Sequence, residues 1–247
     1  MRLLSTSLIL AVCGSLYAQV AIVNNASFRG DQPVSPGSWV AAFGSFTGVA
    51  TTTASSIPLP KTLGGVRVTI DGVDAPLYDV RSTQITFLIP GATAAGLRPV
   101  QITTSAATVN GSVRVIGSAP GLFTKDAQVP PKGAIRNQDG VTENTSSTPA
   151  KRGDVISIYA TGPGALSRQV DDGAAPGAAP LAETKSTLQV YIGGVEAKVQ
   201  FSGLNPDAPG LWQINAVVPD LPFITGRVPV RVFMDGVDYN EVTVFVQ

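Results

Sequence analysis

The sequence predicts an all-β chain folded as two tandem antiparallel β-sandwiches, and three observations carry that expectation. Apolar and polar residues alternate at period two in short blocks, as in Val66, Val68 and Ile70 against Arg67 and Thr69, or Val190 and Ile192 against Gln189 and Tyr191; half-buried strands show this pattern. Turn-forming residues punctuate the blocks, with 26 Gly and 19 Pro spread along the chain, which suits many short strands. The third observation is that the chain is written twice.

The repeat is read block by block. AIVN at 21–24 returns as AIRN at 134–137, and PGSWVAAFG (36–44) is echoed by RGDVISIYA (152–160), pairing Gly37 with Gly153, Trp39 with Val155 and Phe43 with Tyr159. VRVTIDGVDAP (66–76) then matches LQVYIGGVEAK (188–198), QITFLIP (84–90) matches QINAVVP (213–219), and PVQIT (99–103) matches PVRVF (229–233). The order is the same in both copies while the spacing grows in the second, as loop insertions between retained strands would produce. Face-to-face sheets are favoured over a closed barrel, which periodicity by itself leaves open. RVIGSAPGLF (114–123) joins the copies, so the domains are expected at 19–118 and 119–247.

The remaining segments are leader and loop. MRLLSTSLILAVCGSLYAQV opens with Arg2, continues through an apolar run, and offers cleavage after Leu16-Tyr17-Ala18, the pattern of a secretory signal peptide over 1–18. A lipoprotein leader is the alternative, since Cys13 sits near the usual modified position, although Val12 is bulky for the residue before it. Cleavage after Ala18 would remove Cys13, the only cysteine, and with it disulfide and thiol chemistry. The product is expected in the extracellular space or periplasm, without membrane insertion. DDGAAPGAAP at 171–180 has two prolines and two glycines among its alanines and reads as loop rather than helix.

The ordered series AIVNNASF, VSPGSWVAAFG, PLPKTLGGVRVTIDGVDAPL, QITFLIP, APGLF, GAIRNQDG, PAKRGDVISIYATGPG, VYIGGVEAKVQFSGL, GLWQINAVVP and VTVFVQ resembles an uncharacterised C-terminal domain family of secreted acidobacterial proteins. The likeness spans essentially the whole chain after the leader. The halves of that family are similar to immunoglobulin-like modules of transcription-factor and plexin type, so the resemblance implies two tandem immunoglobulin-like sandwiches. It implies no activity.

Composition narrows the function classes. Seventeen basic residues balance seventeen acidic ones, formally 17 against 17, so no electrostatic footprint for nucleic acid exists. The chain has no histidine, which removes His-activated nucleophiles and, with Cys13 cleaved, the usual nitrogen and sulfur ligands of zinc. No G-x-S-x-G, S-x-x-K, Walker or G-x-G-x-x-G pattern organises what is left. A non-enzymatic binding or spacer module is expected, with no cofactor and with an unknown protein or polysaccharide of the cell exterior as partner.

Three groups of residues are candidates for a site. Asp71 with Asp74 and Asp235 with Asp238, both in DGVD, offer hard oxygen ligands to calcium, while the same Asp-Gly centre is a hairpin turn; Asp171 and Asp172 read as a solubilising loop. Trp212, Tyr191 and Tyr239 offer aromatic surface for a carbohydrate site on the second domain, whereas Trp39, in the alternating SWVAAF, is expected in the core. The loops at 44–62 and 161–187 are expected to form the contact surface.

Overall fold

The computed structural model describes residues 20–247, and the leader expected over 1–18, Cys13 included, lies outside them. Among the described residues every named element is a strand, and no helix is long and apolar enough to cross a membrane. The first sandwich stacks two sheets. One runs β1 (Ala21–Asn24), β2 (Trp39–Phe43), β8 (Gln84–Leu88), β7 (Leu77–Val80), β3 (Thr52–Thr53); the other runs β10 (Thr108–Val115), β9 (Gly96–Thr103), β5 (Val66–Ile70), β4 (Thr62–Leu63), with β6 (Val73–Asp74) also on β5.

The second sandwich repeats the plan. Its sheets are β11 (Gly121–Leu122), β13 (Val155–Thr161), β17 (Trp212–Val217), β16 (Val199–Leu204), with β12 (Ile135–Arg136) on β13, and β15 (Val195–Ala197), β14 (Leu188–Ile192), β18 (Gly226–Met234), β19 (Val242–Val246). Every ladder between these strands is antiparallel. The fold is two tandem immunoglobulin-like antiparallel sandwiches.

The repeated blocks fall on equivalent strands, residue for residue. Trp39 pairs with Leu88 and Phe43 with Gln84, as Val155 pairs with Val217 and Tyr159 with Gln213. Each sandwich closes on its own core, Val40, Ile70, Phe87 and Ile102 in the first, Ile156, Ile192, Ile214 and Val232 in the second. Period-two side chains make that possible: Val66, Val68 and Ile70 are fully buried, while Arg67 between them is exposed.

The hairpin reading of the repeated acidic turn is visible in the backbone. Asp71 and Gly72 have φ of 53° and 81°, Gly193 and Gly194 62° and 79°, and Asp235 and Gly236 51° and 77°. Positive φ at both central residues is the type I′ arrangement, whose twist matches that of the flanking strands.

Trp39 departs from expectation. On β2 it is Val40 and Ala42 that enter the core, so Trp39 faces the opposite side of the sheet. It is nevertheless buried, in a separate apolar cluster with Leu59 and Leu88, against which Phe123 of the second half packs. Its indole N–H donates to the carbonyl of Pro209 at 3.1 Å, and its backbone N–H donates to Thr161 Oγ1 at 2.7 Å. Gly210 makes the approach possible: its φ is +61°, and a Cβ there would lie 2.4 Å from Leu88 Cδ2. Trp39 therefore belongs to the junction between the sandwiches.

Other contacts reinforce that junction. The backbone N–H of Gly91 donates to Asp172 Oδ1 at 2.7 Å, and that of Leu59 donates to the Gly173 carbonyl at 2.9 Å. Asn24 Nδ2 reaches the carbonyl of Ala119 in the connecting segment at 3.3 Å. The loops around 59 and 172, expected as free contact surface, are thus partly consumed in holding the sandwiches together.

Truncating the indole should uncouple the two halves without unfolding either. Large-to-small changes at buried aromatics cost about 3–5 kcal/mol, and neither sandwich core contains Trp39. Trp39→Ala is expected to split the calorimetric melt into two transitions, whereas Val155→Ala, at the matching position of the second copy, leaves one. A single unshifted transition for Trp39→Ala would contradict the assignment.

Candidate functional site

Between the two sandwiches lies an open cleft of about 1200 Å³, bounded by the outer face of β2–β8–β7 on one side and by residues of the second sandwich, among them Tyr159, Asp207 and Leu211, on the other. Trp39 forms part of its floor. Two aromatic rings stand up from the walls, Tyr78 at 46% exposed and Phe28 at 53%.

Tyr78 is raised by a β-bulge. Leu77 pairs with Phe87 and Asp79 with Thr86, so Tyr78 is the additional residue and its side chain is re-aimed. The second copy has the same irregularity, Val199 and Phe201 bracketing Gln200. The bulge is a property of the fold, but the aromatic ring occurs only in the first copy. Trp39 meets Tyr78 edge-on, with centroids 5.5 Å apart and planes at 74°, which fixes the phenol.

Phe28 is raised by a strained turn. Asn24 closes it, its carbonyl accepting the Phe28 N–H at 2.9 Å and its Oδ1 the Ala26 N–H at 2.9 Å. Phe28 then takes φ of 54°, a left-handed conformation that costs a bulky L-residue about 1–2 kcal/mol. The ring lies 6.3 Å from that of Phe43. Val141, the counterpart of Phe28 by the AIVN/AIRN match, is 77% exposed and also lines the cleft. Asp139 holds that second turn by accepting from Val141 N, Thr142 N and the Thr142 hydroxyl, which keep its carboxyl below the ordinary aspartate range, the hydroxyl foremost.

Most charged groups of the cleft are paired, Asp207 and Arg136 being the lining residues without an ion pair among the described residues. Asp79 accepts from Arg81 at 2.7 Å and from Thr53 Oγ1 at 2.8 Å. Glu143 receives Lys132 at 3.1 Å and Lys125 at 3.2 Å, and those ammonium groups, Lys132 first, hold its carboxyl below the ordinary glutamate range. Arg136 lies over the Tyr159 ring, 5.6 Å from its centroid.

The residues singled out from sequence are dispersed. Trp212, offered as a stacking platform, is 0% exposed in the core, with its indole N–H donating to Ser202 Oγ at 2.9 Å. The phase of β17 places it there, since Ile214 and Ala216 point the same way. Tyr239 is buried as well; its hydroxyl has no hydrogen-bond partner among the described residues, and burial pushes its pKa up to about 12. Neither ring can be presented to a ligand. Tyr191 alone faces outward, edge-on to Phe233 at 5.6 Å, with Arg231 4.8 Å over the Phe233 centroid.

The acids of the two DGVD turns are engaged one by one. Asp71 pairs with Arg98 at 3.2 Å, Asp74 with Arg67 at 2.6 Å and Asp238 with Arg231 at 2.6 Å, while Asp235 accepts from Ser118 and Ser186 hydroxyls at 2.8 and 3.0 Å. Each carboxylate is directed at a different cation or hydroxyl rather than toward a common centre, and no group of three or more acidic side chains that could hold a metal occurs among the described residues. Sequence reasoning passed over Tyr78 and Phe28, whose presentation depends on a bulge and a left-handed residue. The repeat alignment held one signal, the substitution of an aromatic for a polar residue at the bulge.

No family model and no curated protein matches the chain. Among solved structures it is similar to the SGBP-B protein of a Bacteroides ovatus mixed-linkage glucan utilization locus, in complex with a mixed-linkage heptasaccharide, at 13% identity and a TM-score of 0.34, over 87% of this chain and 43% of that one. It is also similar to the I9–I11 tandem of titin, at 10% identity and a TM-score of 0.22, covering 87% and 61%, and to the plexin A4 extracellular region, at 10% and 0.25, covering 93% and 16%. The chain thus spans less than two thirds of each of these chains. Superpositions this loose say nothing about ligand or activity.

Two outcomes follow from the geometry. A calcium site occupied at about 100 times its Kd would add about 2.7 kcal/mol; with the acids engaged elsewhere, thermal midpoints in calcium and in chelator are expected to coincide, and a calcium-dependent rise would show the DGVD acids leaving their arginine and serine partners. At Tyr239 the folded-state pKa lies above the ordinary value of 10.0, so its contribution is full below pH 10 and is lost as pH rises toward 12. Urea midpoints of Tyr239→Phe should therefore decline less than wild type between pH 10 and 12, and parallel curves would refute the assignment.

Proposed function

We propose that the chain is a non-enzymatic binding module of the cell exterior, that its sandwiches span 19–118 and 119–247, and that ligand enters the cleft between them. The observation that carries this reading is the pair of half-exposed rings, Phe28 and Tyr78, at a strained residue and a bulge, both lining one concavity. Folding alone favours burying such rings, and left-handed backbone favours Gly or Asn. Their exposure is explained if a partner covers them, since binding surfaces concentrate aromatic side chains.

Chemistry in the cleft supports binding without turnover. A general acid at neutral pH needs a carboxyl of raised pKa, whereas Glu143 is pushed down by its two lysines. Asp79 lies within an ion pair with Arg81. The secretory-signal pattern expected over 1–18 supports an exterior location.

A second reading, carbohydrate binding by the second domain alone, is favoured by one observation. Tyr191, Arg231 and Phe233 occupy the positions where the first copy has Thr69, Gln101 and Thr103. It now rests on Tyr191, since Trp212 and Tyr239 are buried.

Co-sedimentation with intact cells and extracellular material of the encoding organism tests the main reading. Wild type is expected in the pellet and the Phe28→Asn, Tyr78→Ala double variant in the supernatant, with at least tenfold loss of apparent affinity and an unchanged melt. Retention of the double variant at the wild-type level would reject the cleft as the site.

A further inference from the structure

We infer that the cleft takes an extended, uncharged polysaccharide chain, an inference that rests on the cleft being the binding site. Size is the first reason. Sites for single small molecules enclose about 300–1,000 Å³, and this concavity, at about 1200 Å³ and open along its length, exceeds them. A polymer running through it would meet both walls, whereas a lone small molecule would leave much of the cleft filled with water.

Charge is the second. Most of the ionic side chains that reach the cleft pair with one another, Asp79 with Arg81 and Glu143 with Lys125 and Lys132, and the remaining two, Arg136 and Asp207, are of opposite sign. An anionic or cationic ligand would have to compete with those pairs for its counter-charge. An uncharged ligand gains from them directly, because a carboxylate locked beside a guanidinium presents acceptors and donors side by side, matching the neighbouring hydroxyls of a sugar ring, and hydrogen bonds to charged groups are worth about 1.5–3 kcal/mol against about 1 for neutral pairs.

The third reason is the way the rings are held. A pyranose offers a face of axial C–H groups that packs flat on an aromatic ring, and that contact needs the ring rigid and its face free. Tyr78 is held and accessible: Trp39 meets it in a T-shaped contact at 5.5 Å, the indole is tied to Pro209, and the residue stays 46% exposed. Beside it the Asp79 and Arg81 pair, one and three residues further along the chain, supplies the polar contacts. On the outer face of the second sandwich, by contrast, Arg231 already covers Phe233. Phe28 adds a second ring whose backbone strain the fold itself does not require.

Affinity electrophoresis through gels containing a soluble β-glucan, xylan, galactomannan or α-glucan, with alginate as the charged comparison, tests this. At least one neutral polymer is expected to retard the wild type, and alginate not. Tyr78→Ala and Tyr78→Gln, the latter placing there the residue that the second copy carries, should weaken retardation tenfold or more. Phe28→Asn should weaken it similarly while melting at or above the wild-type temperature, because Asn tolerates left-handed backbone. Tyr191→Ala should leave it unchanged. The inference is overturned if no neutral polymer retards the protein, if alginate binds as well as the neutral chains, or if Tyr191→Ala abolishes retardation while the Tyr78 variants do not. Failure with every polysaccharide, combined with loss of cell co-sedimentation in the cleft double variant, would remove the ligand class and keep the cleft; no effect of the cleft variants in either assay would remove both.

Discussion

The packing of Trp39 against the second sandwich is the interaction on which the rest depends. A β-sheet has two faces, and each of these sandwiches uses one face of each sheet for its own core. What distinguishes this chain from two beads on a string is that an outer face, that of β2–β8–β7, is partly apolar and partly covered. Trp39 and Leu88, cross-strand partners on that face, are covered by the Pro209–Gly210 turn, and the two bonds from Trp39 to Pro209 and Thr161 fix the distance. Covering one end of the face while leaving the other open is what creates a cleft. Tyr78, on the same sheet, stands just beyond the covered part and leans on the same indole.

Rigidity follows from how the junction is bonded. Backbone groups supply much of the bonding, with Gly91 and Leu59 donating to Asp172 and Gly173 and with Asn24 reaching Ala119. Backbone atoms have little freedom to rearrange, so a junction bonded in this way holds its angle better than one of long charged side chains. Surface ion pairs, such as Arg67 with Asp74, contribute about 0–1 kcal/mol each and serve the hairpins locally. A preformed cleft in turn binds without first ordering its walls, which is where association otherwise loses affinity.

Much of the fold was legible in the sequence because repetition and period two are both arithmetic. The pairing of Trp39 with Val155 and Gln84 with Gln213 predicted which strands correspond, and the ladders reproduce it. Phase was harder. Every residue of WVAAF is apolar, so alternation does not say which side faces the core: the expectation puts Trp39 inward, whereas Val40 and Ala42 are the inward pair. In WQINAV the alternation is informative, and the phase that Trp212 shares with Ile214 and Ala216 accounts for its burial, against the expectation of a surface platform. The site was less legible still. Tyr78 depends on one extra residue in a ladder and Phe28 on one positive φ, and neither leaves a periodic trace.

The repeat also separates what the fold requires from what it merely permits. Two copies of one architecture, in one chain and one solvent, meet the same folding constraints at matched positions, so a feature present in both has a structural explanation available. The I′ turns and the bulge in β7 and β16 are of that kind. Features present in one copy only need another cause. At the bulge the second copy carries Gln200 and the first carries Tyr78; at the turn, the second places its positive φ on Gly140, one residue before Val141, the counterpart of Phe28, while the first places it on Phe28 itself. In both cases the first copy departs from the less strained or more polar choice, and in both the departure sets an aromatic ring in the cleft that Trp39 holds open. Two independent departures toward the same concavity are difficult to attribute to folding, which favours neither, and are explained together by a ligand that needs both rings.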